Sequence, residues 1–316
     1  MLRYALKRFL FFIPTILGIV FIIYAVMDLT PGDPARIMLG ERASLEQTAL
    51  LRAELGLDRP FFERYLHYIY RMFFKGDLGV SYTRKEPVLE DILRKFPYTL
   101  ILALWALLLS SILGISLGVF STLRPRSAAG MVFSTISLIF ASVPAFVLGM
   151  TLILIFSLYL GVFPSGGASS WRHFILPAAA LTLPAAAETM RLTRAMMMET
   201  MAKDYIRTAK AKGAGMAAIV IKHALRNAMP PVIINAGMHL GYLLGGAVIT
   251  ETLFAIPGLG SHIVEAARMK DTPAVTASVV FLSFFFSAVL LALDLVCAFL
   301  DPRSRERYAG GEGRRG

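Results

Sequence analysis

Residues 99–122 read TLILALWALLLSSILGISLGVFST, twenty-four residues without a single charge. As a helix rising 1.5 Å per residue the stretch is about 36 Å long, enough to cross ~30 Å of hydrocarbon. No soluble domain needs so long an uncharged run. Working outward, five more runs of this kind appear at about 9–27, 131–160, 174–190, 232–250 and 279–300. The 316-residue chain is 56% hydrophobic and only 17% charged, with a mean hydropathy of +0.64. Backbone polar groups in lipid must be satisfied within their own segment, so uninterrupted runs of this length predict helices. The expected fold is all-α: a polytopic membrane protein with six transmembrane helices. RYALKRF before the first run resembles the basic start of a signal peptide, but the run is too long and lacks a small-residue cleavage site, so it is expected to be retained. The third run, at 30 residues, overshoots the bilayer unless tilted or broken, and Pro144 supplies a kink.

Charge sets the orientation. With the N-terminus inside, the cytoplasmic segments hold eighteen Lys and Arg against five acids, while the outer segments hold fourteen of each. All the excess positive charge thus lies on one side, and both termini are predicted cytoplasmic. The pI near 9.9 then reflects topology and contact with anionic membrane lipid. Basic residues dispersed among spans in this way do not make a nucleic-acid surface. The single cysteine, Cys297, falls inside the last run and excludes an intrachain disulfide.

The first outer segment, about 28–98, is too long to lack structure. TPGDP at 30–34 is turn chemistry, Ser44 with Gln47 resembles a capping box, and Gly56 would end the helix that follows. Phe61, Phe62, Tyr65, Leu66, Ile69, Met72 and Phe73 recur at the spacing of an amphipathic helix, broken by Lys75–Gly79. Val88, Leu89, Ile92, Leu93 and Phe96 predict a second short amphipathic helix leading into span two. The outer turn 161–173, with Pro164, Gly166 and Gly167, reverses the chain, and the glycine-rich end 310–316 is expected to be disordered. Three parts result: span one with its outer loop (1–98), a core of five spans (99–300), and a cytoplasmic tail (301–316).

Catalytic signatures are missing. There is no GxxxxGK[ST] loop, no HExxH and no GxSxG, and His67, His173, His223, His239 and His262 are too scattered to form ligand-spaced pairs. No catalytic residue and no metal ligand is predicted.

The polar residues that do stand out are few. In span five, Asn235, His239 and Tyr242 share a face, while Gly237, Gly241 and Gly245 form consecutive GxxxG repeats on another. The polar stripe suits either a pathway lining or hydrogen bonds between helices. Glu188 and Asp294 are costly within a span, by about 2.5–3.5 kcal/mol for an aspartate at a helix centre. Glu188 has Arg191 at i+3, which predicts an ion pair near the cytoplasmic end of the helix; Asp294 has no local partner.

Between spans four and five, Arg191 to Arg226 carries eight basic residues, in a loop that reaches to about 230. It contains DYIRTAKAKGAG (204–215): Asp204 is a candidate N-cap, Tyr205 to Lys212 reads as two helical turns, and Gly213 as the breaker. Helix is expected to resume from Ile219 to Leu225 and to reach the membrane face at Pro230 and Pro231. A short rigid helix held out from the bilayer suits docking into another protein, and Thr208, Ala209 and Ala211 are small enough to allow close approach.

DYIRTAKAKG followed by HALRNAMPP resembles the cytoplasmic coupling loop of permease subunits of bacterial ABC importers. The resemblance is to the dipeptide/oligopeptide/nickel branch with a long first outer loop, and it spans nearly the whole chain. RYALKRFLFFIPTILGI with TPGDPA, LGLDRPFFERYL with GDLGVS, ETLFAIPGLG, and DLVCAFLDPR carry it in order. The general importer pattern has Glu-Ala-Ala, a glycine, then Ile-x-Leu-Pro; with Gly213 as the glycine, Arg207, Thr208 and Ala209 replace the first element and His223 to Arg226 the second, as in the peptide branch. The resemblance implies a type I importer fold in the bacterial cytoplasmic membrane. It further implies a homologous second permease subunit, two ATP-binding subunits that carry the ATP and Mg, and an extracytoplasmic solute-binding protein. No cofactor is expected in this chain. Asp204, Tyr205, Arg207, Thr208, Ala209 and Gly213 would couple to the ATPase, and Glu251, Pro257 and Gly258 would lie at the outer mouth as a gate or binding-protein contact. The solute would be a di- or oligopeptide, with a nickel chelate, glutathione or another small solute as alternatives. A stand-alone secondary transporter or channel is the rival of another class; it predicts inverted repeats or several intramembrane charges, neither of which is clear here.

Overall fold

The computed structural model describes residues 2–40, 42–123 and 127–300. Among them the chain is helical with no β-strand, only an isolated bridge between Val80 and Pro87. Two helices are long and apolar enough to cross a membrane, or four if each of two bent pairs counts as one crossing. Two compact units divide the chain: residues 1–99 with 257–316, and residues 100–256.

In the first unit, α1 (Leu2–Leu29) packs against α13 (Thr272–Leu300). The outer segment folds over α1 as α2 (Pro34–Leu39), α3 (Leu45–Glu54) and α4 (Phe61–Lys75). Both hydrogen bonds of the Ser44/Gln47 capping box form, and Gly56 adopts φ +67° just past α3. The amphipathic reading of α4 holds for four of its seven positions: Phe61, Tyr65, Ile69 and Met72 pack with buried Tyr68 onto Ile16, Val20 and Tyr24 of α1, whereas Phe62, Leu66 and Phe73 are exposed. Left-handed Gly76 ends it, followed by Asp77, whose carboxyl is held below its usual range by Arg71 and by the Gly79 N–H.

The beginning of α13 is fastened by its polar neighbours. Buried Asp271 accepts from the Ala274 N–H at 3.2 Å, from the Ser81 hydroxyl, and from the Thr83 N–H and hydroxyl. Lys270, at φ +57°, donates from Nζ to the carbonyls of Met27 and Thr30, capping the end of α1. Burial lowers the Lys270 pKa.

Two expectations are corrected here. The short helix at 88–96 and span two are one helix, α5 (Val88–Leu123), despite Pro97. At 36 residues α5 is about 54 Å long, so it outruns the bilayer. Pro97 removes only the bond to the Leu93 carbonyl, and Leu93 lies on an exposed face. The 131–160 run is broken rather than kinked: α6 (Ala128–Ser142) and α7 (Ala145–Leu152, continued by a π-helix over Ile153–Tyr159) meet at 103°. Pro144 drives Val143 into an extended conformation (φ −92°, ψ 124°), which no helix passes through.

In the second unit, α8 (Ile175–Met201) is central, packed by α6, α7 and α11 (Arg226–Leu253). Its Ala- and Thr-rich sequence falls short of the hydropathy of a lipid-facing span, and its small residues are the ones that pack against α6, α7 and α11. Glycines on α5 let it come close: a Cβ on Gly114 would lie 2.6 Å from Thr189 Cβ and 2.8 Å from the Ala186 carbonyl, and Gly118 meets Thr193 and Met190 in the same way. Expected close packing at the α11 glycines is not found at Gly245, where an added Cβ would have nothing within 4 Å.

Candidate functional site

The 204–213 stretch forms α9 (Asp204–Ala211), and its N-terminus corrects the expected cap. Lys203 occupies the N-cap, with Asp204 as the first helical residue and its side chain making no capping bond. There its charge still complements the helix dipole, and it lies 3.7 Å from Arg207. The other end is as expected. Gly213 takes φ +80°, its N–H bonds to the Lys210 carbonyl at 3.0 Å, and Ala214 bonds to the Ala209 carbonyl at 3.1 Å. This double bond pattern closes the last turn and requires the left-handed glycine.

One side chain anchors α9. Ile206 is fully buried among Met197 of α8, Ile219, Val220 and Ala224 of the following segment, and Ala228 of α11. Burial of such a side chain is worth about 1.5–3 kcal/mol. Asp204, Tyr205, Arg207 and Thr208 are exposed, and Ala209 is half-buried. The helix is therefore pinned by Ile206, with Ala209 packed at the edge of the same cluster, and presents Asp204, Tyr205, Arg207 and Thr208 outward. After α10 (Met216–Ala218), helix resumes over Ile219–Leu225 as expected, in π-helical form, and continues into α11 through Pro230 and Pro231.

Within α11, Asn235 is half-buried, His239 buried and Tyr242 exposed, with the His239 and Tyr242 rings edge-on at 6.5 Å. The expected Glu188–Arg191 pair is replaced. His239 Nε2 lies 3.1 Å from Glu188 Oε2, joining α11 to α8. Because α8 runs on to Met201, Glu188 is at the middle of the helix and not near its end. Sequence reading missed this pair because each residue alone is a weak signal; only the helix length and the α8–α11 packing bring them together.

At the other end of α11, Glu251 is fully buried, Pro257 exposed and Gly258 buried. Ala255 stands at φ +49°, and the Ile256 N–H bonds to the Glu251 carbonyl at 2.9 Å. The turn is gripped by the 161–173 loop: Gly167 N–H donates to the Phe254 carbonyl at 2.8 Å, and a Cβ on Gly166 would come 2.6 Å from that oxygen. Asp294 lies in α13, but its side chain is outside the described residues, as is the tail from 301. Among the described residues no group of three His, Cys, Asp or Glu converges as a metal site requires.

Comparison with known proteins gives concordant results. The family described as "Binding-protein-dependent transport system inner membrane component" matches residues 110–306, and its N-terminal counterpart matches 1–103. The glutathione transport system permease protein GsiC of Escherichia coli O6:H1 (strain CFT073) is 38% identical over 305 residues, covering 96% of this chain and 99% of the relative. GsiC of Salmonella typhi is equally similar at 38%. Among solved structures, the MetNI methionine ABC transporter in an inward-facing conformation matches with a TM-score of 0.59 at 22% identity, covering 68% of this chain and 99% of that one.

Proposed function

This chain belongs to the binding-protein-dependent transport system inner membrane components, the permease subunits of ABC importers, and from that premise we propose that it forms half of a solute pathway and is driven through α9. The observation that carries the reading is the build of α9: one buried anchor, a left-handed glycine stop, and an exposed face of Asp204, Tyr205, Arg207 and Thr208. A helix pinned in this way moves as a rigid body with α8 and α11. Closure of an ATPase dimer around it would therefore tilt those helices between inward-open and outward-open states.

The partners that follow are a homologous second permease, two ATP-binding subunits and an extracytoplasmic solute-binding protein. ATP and Mg would sit on the ATP-binding subunits, leaving this chain without catalytic work. Six crossings with both termini in the cytoplasm complete the proposal, supported by the charge asymmetry. The solute is a short peptide, and the names of the GsiC relatives favour glutathione, itself a tripeptide, over a nickel chelate.

Affinity purification of tagged protein from native membranes tests the coupling. The wild type should bring down a P-loop ATPase and a second permease. Gly213→Pro, which forces φ away from +80°, should lose the ATPase while keeping the permease. Arg207→Glu should remain in the membrane but hydrolyse ATP without uptake. Normal ATP-driven uptake by both variants would remove α9 from the mechanism.

A further inference from the structure

From Ile175 to Met190, α8 is enclosed on nearly every side, and Glu188 is the one exposed side chain in that stretch. Its carboxylate is 54% exposed, although it is the fourteenth of the 27 residues of α8. His239, which meets it, is the fourteenth of 28 in α11. Thirteen residues of α8 and fourteen of α11, at 1.5 Å each, place the pair about 20 Å from the outer ends of both helices, which on the six-crossing reading is within the membrane. Half-exposed carboxylates are not tolerated against hydrocarbon, and a membrane carboxylate faces either protein polar groups or a water-filled space.

The surroundings select the ligand chemistry. Imidazole Nε2 holds one carboxylate oxygen, and no lysine or arginine pairs with Glu188 among the described residues. Buried Nδ1 of the same ring has no hydrogen-bond partner. Tyr242, 64% exposed, stands edge-on beside His239, with 6.5 Å between ring centroids, and is the exposed neighbour of the pair on α11. The result is an acceptor-rich spot with no lysine or arginine fixed against it among the described residues. We propose that Glu188, oriented by His239, receives the ammonium group of a solute as it passes along α8 and α11. The inference rests on the importer reading above and adds to it a recognition group for a cationic amine.

A cysteine test reads this charge directly, since Cys297→Ser leaves a chain without thiols. In the assembled transporter in native membranes, Tyr242→Cys on that background is treated with water-soluble methanethiosulfonates, one carrying an ammonium and one a sulfonate. The ammonium reagent should react about tenfold faster or more, the size expected of one charge several ångströms away in a partly wet site. Adding Glu188→Gln should abolish the preference, and Glu188→Asp should retain it. Equal rates for the two reagents, a preference unchanged by Glu188→Gln, or no labelling at all would overturn the proposal. ATP-driven uptake by the thiol-free parent separates the two readings. Uptake with no ammonium preference sinks only the Glu188 assignment, whereas a preference without uptake sinks the importer reading.

Discussion

His262, at the start of α12 (Leu259–Arg268), shows how the fold sets the chemistry of a single residue. It is 3% exposed, with Nε2 3.3 Å from the buried Asp91 carboxylate, a pairing at ion-pair distance but without hydrogen-bond alignment. Arg84 lies 3.2 Å from the same carboxylate and 3.5 Å from Glu265. Burial lowers the imidazole pKa, Lys95 and Arg84 lower it further, and Asp91 and Glu265 oppose them. The ring therefore stays neutral where a free imidazole, with a value of about 6.5, would begin to charge. Above that value the residue is neutral in both folded and unfolded states and its contribution is intact. As pH falls toward the depressed folded value the unfolded chain binds the proton first, so stability is lost over that window. Melting of purified protein in detergent at pH 7.5 and 5.5 should show a larger fall for wild type than for His262→Gln. Parallel falls would mean that other groups dominate the acid response.

Among the helices, the close approach of α5 to α8 depends on Gly114 and Gly118. Gly114→Val would put a branched side chain against the Ala186 carbonyl, which is backbone and cannot step aside. Overpacking of this kind costs about 1–3 kcal/mol, so the variant should melt well below wild type. Gly245→Ala, with open space around it, should melt as wild type when the chain is purified alone. Equal melting of wild type and Gly114→Val would show that α5 does not pack as described. The sequence displays the same small-residue spacing in GISLG of α5 and in the glycines of α11, and nothing local distinguishes Gly114 and Gly118, which meet α8 closely, from Gly245, which has open space around it. The capping box of α3, the amphipathic face of α4 and the Gly213 stop were legible because each depends on neighbours within one or two turns. The 103° turn at Pro144 was only half legible: proline announces a break, but the angle is set by what the two legs pack against.

At the scale of the whole molecule, six apolar runs in the sequence correspond to helices in the structure, yet hydropathy alone identifies only some of them as crossings. Two runs fall short: α1 contributes only Ile13–Leu29 as a shorter apolar helix, and α8 is rich in alanine and threonine that pack against α6, α7 and α11. Membrane topology is therefore better argued from charge than from hydropathy. Fourteen acids offset fourteen bases in the segments assigned outside, whereas eighteen bases face five acids inside. Reversing the chain would carry that whole excess across the bilayer, against the bias that fixes orientation during insertion. Alkaline phosphatase fused after Lys75 or within the turn at Gly167 should be active, since the enzyme matures only outside the cytoplasm. Fused after Gly213 it should be inactive, and a fluorescent protein at the same point should be bright. If the Gly167 fusion were inactive and the Lys75 fusion active, α6 and α7 would form a re-entrant hairpin instead of a broken crossing. The cytoplasmic placement of α9 would then have to be re-derived from a different number of spans.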